Sequence, residues 1–164
     1  MAVAFCAVLV SDQASKFYIE RTVPVRYHVN ETFFYITHEL NPGLVGGIFG
    51  HSPVIVKVAP LVATLVLLYL YRHLESSSAY QSVAFGMIAG GAAGNIIDRF
   101  FRGNVVDFLQ FNFYFLPDFL HLPTTRYPAF NVADSAICIG VGVLIFCWHR
   151  LGRTSEAADV VNAD

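Results

Sequence analysis

The amino-acid sequence predicts an all-α integral membrane protein with four transmembrane helices, and three observations carry that expectation. Of its 164 residues 55% are hydrophobic and only 13% charged, with a mean hydropathy of +0.55, too little polar surface for a water-soluble domain of this size. Windows of about 19 residues find four apolar segments of spanning length, at approximately residues 2–20, 54–73, 80–98 and 130–149. The polar side chains near these segments converge on the ends that four spans must place at one face. A soluble helical protein with a buried core is the alternative. The stretch "VIVKVAPLVATLVLLYLYRHL" weighs most against it, being apolar on every side apart from Lys57.

The first span lacks a basic leading region, carries Asp12 and Lys16, and is followed by no convincing cleavage site. It therefore reads as a mature transmembrane helix and not a signal peptide. The loop at 21–53 contains the partly alternating run "ETFFYITHELN", which predicts a strand, and then the glycine-rich turn "NPGLVGGIFG". The loop at 99–129 is crowded with aromatic residues in "VVDFLQFNFYFLPDFL" and broken by Pro117. Its composition suits short strands or an amphipathic helix lying at headgroup depth. After the fourth span, the tail at 150–164 ends in the polar "TSEAADVVNAD", expected to be disordered. With no internal repeat or linker, residues 1–164 are expected to form one domain.

Four spans put both termini on one side of the membrane. The end of span one, the start of span two, the end of span three and the start of span four then share the other side, where Asp12, Lys16, Asp98, Arg99, Asp107, Asn131 and Asp134 gather. Counting loop arginines does not orient the chain, because with cytoplasmic termini the outer loops hold more arginine than the inner ones. Other chemistry is poorly represented. Cys6, Cys138 and Cys147 lie inside apolar spans and are odd in number, as expected of small hydrophobes rather than a disulfide framework. The six histidines show no HExxH spacing, so no metal site is expected, and a net charge of −2 suggests no nucleic-acid partner.

An ionised side chain at the centre of a span costs on the order of 3 kcal/mol, so each charge near the spans needs a partner, water or a function. Asp12 and Lys16 are four apart on one helical face, the spacing of an ion pair. Asn95 and Asp98 are placed to bond loop backbone or a neighbouring helix, and Arg99 to satisfy a carboxylate or a lipid phosphate. Asp107 and Asp134 differ from these, since neither has a basic residue three or four positions away. Asp134 fits a helix N-terminal carboxylate stabilised by the helix dipole. Alternatively the two share one proton, desolvation and repulsion keeping one an acid and the other a base near neutral pH.

The motifs "SDQASK", "NPG", "GNIIDR", "GNVVDF" and "FNVADSAI" occur in this order along nearly the whole chain. In this the chain resembles lipoprotein signal peptidase (signal peptidase II), the membrane aspartic protease family of bacteria. The resemblance implies a four-helix bundle with an extracytoplasmic β-cradle and a short interfacial helix, both termini being cytoplasmic. It implies cleavage of prolipoproteins immediately before a diacylglyceryl-modified cysteine, with no metal or organic cofactor. Asp107 and Asp134 take the positions of the catalytic pair. Asp12, Lys16, Asn41, Gly43, Asn95, Asp98, Arg99, Asn131 and Ala133 take the other motif positions, which support the pair or the substrate. Two departures stand out: Leu44, Val45, Gly46 and Gly47 replace the usual alanine-rich and aromatic continuation of the first loop, and the stretch between Asp107 and Asn131 is long. Two rival classes are a proton-coupled transporter, whose carboxylates would need to continue across the membrane, and a scaffold whose polar cluster only joins helices.

Overall fold

The computed structural model describes residues 1–27, 33–44, 51–72, 78–113 and 125–161. Within them run α1 (Ala2–Thr22), β1 (Phe34–Asn41), α2 (Pro53–Arg72), α3 (Ala79–Phe101), β2 (Val105–Phe111) and α4 (Val132–Val161). The protein is mostly helical with a small two-stranded sheet. Among the described residues, two helical stretches are long and apolar enough to cross a membrane, Ala2–Thr22 and Val132–His149, while α2 contributes a shorter apolar run, Val54–Leu67.

Helix α3 lies at the centre, packed against α1, α2 and α4. It starts at a capping box in which Ser78 and Gln81 satisfy each other's backbone N–H, and it ends where Gly103, at φ 81°, turns the chain away. Its small residues decide how closely its neighbours approach. A side chain at Gly86 would strike Met1 at the cap of α1, one at Gly90 or Gly94 would strike Phe5 or Asp12 within it, and one at Gly91 would strike the carbonyl of Ala133 on α4. Small residues at such spacing let helix backbones meet closely in a membrane.

Helix α1 is polar inside and apolar outside. Asp12 and Lys16 are 0% exposed whereas Val3 is 85% and Val10 66% exposed. Water would penalise both halves of that distribution; a lipid surround accepts the outer half, and α3 and α4 pair the inner half.

The strands are antiparallel and register Phe34 with Phe111, Tyr35 with Gln110 and Ile36 with Leu109. The register then shifts, so that Glu39 faces Asp107 and Asn41 faces Val105. Thr37 and His38 occupy the irregularity and tie it to the segment after α1: the Thr37 hydroxyl donates to the Tyr27 carbonyl at 2.6 Å, and His38 Nδ1 to that of Val23 at 2.8 Å. Beyond β2, Phe130 exchanges backbone bonds with Leu109. That exchange brings the start of α4 beside Asp107. A small core of Ile19, Val106 and Phe108 seals the junction of α1, β2 and α4.

Two expectations change. Arg99 and the two residues after it belong to α3 and not to the following loop, because the helix continues until the left-handed glycine. The tail, expected to leave the fourth helix at 150, continues it through Val161; "EAAD" in that segment is rich in helix formers and contains no proline. The strand expected in "ETFFYITHELN" is β1. The glycine-rich residues 45–50 and residues 114–124 of the 99–129 loop, for which short strands or an interfacial helix are expected, lie outside the described residues.

Candidate active site

Asp107 sits in the middle of β2 with only 3% of its surface exposed. Its Oδ2 accepts a hydrogen bond from Asn41 Nδ2 at 3.0 Å and its Oδ1 one from Asn131 Nδ2 at 2.7 Å. Burial, and then the negative charge of Asp134, push its pKa up to about 7, against the opposing pull of the two amide donors and of Lys16. Asp134 stands in the first turn of α4 and is half-buried. Its Oδ2 accepts from the Asn131 backbone N–H at 3.2 Å, while the Asn131 side-chain oxygen accepts from the Asp134 N–H at 3.0 Å. This reciprocal pair caps the helix in the manner of a capping box. The other oxygen, Oδ1, accepts from Asn95 Nδ2 at 2.8 Å. Asp134 is thus a helix N-terminal carboxylate, and Asn131 links it to Asp107.

Behind this pair lies a fully buried ion cluster. Lys16 Nζ is 2.8 Å from Asp12 Oδ2, 2.8 Å from Asp98 Oδ2 and 2.9 Å from Asn95 Oδ1, so each ammonium proton has an acceptor. Charges out of water are expensive, several kcal/mol each, and are tolerated only when their remaining lone pairs are also used. Asp12 Oδ1 accepts from the Ala133 N–H at 3.0 Å, and Asp98 Oδ2 from the Val106 N–H at 3.3 Å. The cluster therefore fastens α1 and α3 to the residues just before Asp134 and Asp107.

Arg99 does not pair with a carboxylate through its described hydrogen bonds. It donates to the Asn95 carbonyl at 3.1 Å and to the Gly43 carbonyl at 3.0 Å. The Gly43 N–H in turn donates to Asn41 Oδ1 at 2.9 Å, and Asn41 Nδ2 reaches the Leu44 carbonyl at 3.2 Å. Arg99 thereby holds the loop that orients Asn41 towards Asp107.

All eleven residues singled out in the sequence meet in this one network, drawn from α1, β1, α3, β2 and α4, the turn after β1 and the residue before α4. Two further members were missed. Gln13 donates to both Asp12 and Asp98 at 3.1 Å, and Arg102 donates to Asp98 Oδ1 at 2.5 Å and pairs with Glu20 at 3.1 Å. Their signals were present in the spacing, since Gln13 adjoins Asp12 and Arg102 lies one helical turn beyond Asp98.

A family model described as "Signal peptidase (SPase) II" matches residues 4–150. The chain belongs to the signal peptidase II family. Among its relatives in that family, the lipoprotein signal peptidase of Desulforapulum autotrophicum is 40% identical over 147 residues, covering 85% of each chain. That of Halalkalibacterium halodurans is 33% identical over 152 residues, covering 91% of each. A bacterial membrane enzyme solved by the in meso method at 2.3 Å resolution superposes with a TM-score of 0.75 at 29% identity, covering 94% of this chain and 88% of its own. A second, solved at 1.9 Å, gives a TM-score of 0.71 at 27% identity, covering 89% and 90%. A signal peptidase II chain is an aspartic peptidase, a chemistry that uses one carboxylic acid and one carboxylate near neutral pH.

Proposed function

We propose that Asp107 and Asp134 are the catalytic pair with which this membrane enzyme removes the signal peptide from prolipoproteins, hydrolysing the amide bond before the diacylglyceryl-modified cysteine. The observation that carries the reading is Asn131, whose side chain donates to Asp107 while its backbone and side chain engage Asp134. One residue thereby fixes both carboxyls at the junction of β2 and α4.

In the mechanism Asp134 acts as the base, taking a proton from water as the water oxygen attacks the scissile carbonyl carbon. Asp107, the more deeply buried acid, gives its proton to the carbonyl oxygen. The resulting tetrahedral diol collapses with cleavage of the C–N bond. A proton returns to Asp107, the other passes to the leaving cysteine nitrogen, and the products are a signal-peptide carboxyl terminus and a lipidated cysteine with a free amine. Lipid tails left in the bilayer hold the scissile bond at the depth of the pair.

The remaining placement follows from the same reading. All four helices span the bacterial inner membrane as one peptidase domain over residues 1–164, with both termini cytoplasmic and Asp107 and Asp134 toward the extracytoplasmic face. The sheet forms the cradle beside the site, and the enzyme acts as a monomer without metal or organic cofactor. The test is a gel-shift assay on purified protein with a model prolipoprotein, with and without the diacylglyceryl group. Cleavage of the lipidated form alone, absent in Asp107→Asn and in Asp134→Asn of normal fold, is expected; near-normal cleavage by either variant refutes the assignment.

A further inference from the structure

Lys16 holds a position that an ordinary buried ion pair does not need. Its three protons meet Asp12, Asp98 and the side-chain oxygen of Asn95. An ammonium only donates, so it dictates which end of the Asn95 amide faces it. The oxygen must turn to Lys16, and the NH₂ group then turns to Asp134 Oδ1 at 2.8 Å. The same oxygen accepts from Asn131 Nδ2 at 3.1 Å. Asn131 is fixed in turn, because its own oxygen is held by the Asp134 N–H, and its NH₂ group is left to serve Asn95 and Asp107 Oδ1. Two amides thus run from one ammonium to one oxygen of each carboxyl, with every donor direction determined by Lys16 at one end and the helix start at the other.

We propose that Lys16 is a positioning residue for the reaction: through Asn95 and Asn131 it keeps N–H donors aimed at Asp107 and Asp134 and thereby sets the pH range in which the pair holds one proton. The inference rests on the reading of those two residues as the reacting pair. Other groups act on them as well. Asn41 reaches Asp107 from β1, where Glu39 is its cross-strand register partner, Arg99 exerts its charge on both carboxyls from α3, Asp98 binds the neighbouring Val106 N–H and Asp12 the neighbouring Ala133 N–H. Lys16 differs from these in being joined to both carboxyls through oriented amides. Its positive charge also opposes the rise in the Asp107 pKa.

The experiment compares kcat and KM against pH for full-length Lys16→Gln, Lys16→Arg and wild-type protein on a lipidated model prolipoprotein in detergent, with melting temperatures measured in parallel. Loss of the charge should move both limbs of the profile about one pH unit upward, the lower end of the effect of a nearby opposite charge. At the optimum of each profile, kcat should fall about tenfold with KM little changed, because the donors are no longer held on the pair. Lys16→Arg, which still only donates, should keep the wild-type profile even where its bulk lowers the melting temperature. If Lys16→Gln does not fold, Asn95→Leu takes its place: it keeps the pairs of Lys16 with Asp12 and Asp98, removes the acceptor of the third ammonium proton and cuts the relay, and should show an upward movement of the acid limb. A wild-type pH profile in Lys16→Gln, or in Asn95→Leu where that replaces it, overturns the proposal and leaves Lys16 a structural ion. Asp107→Asn and Asp134→Asn are run beside them. If either cleaves normally, the catalytic pair itself has been misassigned; if both are inactive while the Lys16 profile is unmoved, only the positioning role falls.

Discussion

Replacing Asp107 with asparagine should change stability in opposite directions at acid and alkaline pH. In the folded protein, burial and then the charge of Asp134 raise its pKa from 3.8 to about 7. A carboxyl raised in this way contributes most to stability below about pH 4, where it is protonated in both states, and that contribution is lost as pH rises through about 7. At ~1.4 kcal/mol per pH unit, the loss amounts to about 4 kcal/mol. An asparagine does not titrate and escapes it. It meets a different difficulty, because Asn41 and Asn131 both offer N–H donors to this position. Neither can turn its amide around: the Asn41 oxygen is held by the Gly43 N–H and the Asn131 oxygen by the Asp134 N–H. The new side chain has one acceptor for two donors, and one buried hydrogen bond is lost, at about 1–3 kcal/mol.

The balance favours wild type by about 1–3 kcal/mol below about pH 4, where the carboxyl is protonated in both states, and favours the variant by a similar amount above about pH 7. For a protein of this size the difference corresponds to a shift on the order of 5 °C in each direction. Thermal unfolding of both proteins in detergent from pH 3 to pH 9 measures it, and the two stability curves should cross between about pH 4 and pH 6. Parallel curves would refute the reasoning, since they would mean that Asp107 does not titrate as a buried acid beside Asp134. The variant should also be inactive at every pH, including those where it is the more stable protein.

Three other outcomes are expected. Cleavage of a lipidated substrate by the wild-type protein, followed as kcat/KM, should fall as pH rises through about 7, where the Asp107 proton is lost; a flat profile up to pH 9 contradicts this. Asp12→Asn leaves Lys16 with one full countercharge, and breaking a buried pair of this kind is worth roughly 3–5 kcal/mol, so apparent melting should drop by several degrees with activity falling in proportion to the folded fraction. An inactive variant with unchanged melting would place Asp12 in the chemistry instead. Gly94→Ala should be strongly destabilising because its new methyl group meets the Asp12 carboxylate, whereas Gly142→Ala, with nothing within 4 Å, should melt no lower than wild type.

Which residues would meet was legible in the sequence; how they meet was not. The apolar runs locate the four helices to within a few residues except at the end of α4, and alternation locates β1. An i, i+4 spacing exposed the Asp12–Lys16 pair, since both lie on one helix. The third member, Asp98, is 82 positions from Lys16 in sequence, a relation that no local period encodes. The same limit applied to Arg99. Charge alone suggested a carboxylate or phosphate partner, but backbone carbonyls carry no sequence signal, and two of them hold the guanidinium. Gln13 and Arg102 escaped because each was read as flanking a motif, whereas in space they close the outer side of the Asp98 carboxylate. The tail was misjudged by its polarity, although its composition is compatible with a continuing helix.

The polar network and the helix packing are one construction. In a membrane, lipid solvates apolar side chains as well as another helix does, so burying them gives little reason for α1, α3 and α4 to associate in one particular register. Close backbone approach and polar bonds have to supply that reason. The row of Gly86, Gly90 and Gly94 brings α1 against α3, near enough for a four-carbon lysine stem to reach Asn95 and Asp98. Asp12 then reaches the Ala133 N–H and fixes the start of α4. Any slip of α1 by one residue would leave an ammonium and a carboxylate unpaired in an apolar medium, at a penalty far above that of rearranging aliphatic contacts. The register chosen by that penalty is the one that brings Asp107 and Asp134 to opposite sides of Asn131. A substitution that loosens the glycine row should therefore damage catalysis without touching either carboxyl, and its effect on activity should follow its effect on melting temperature.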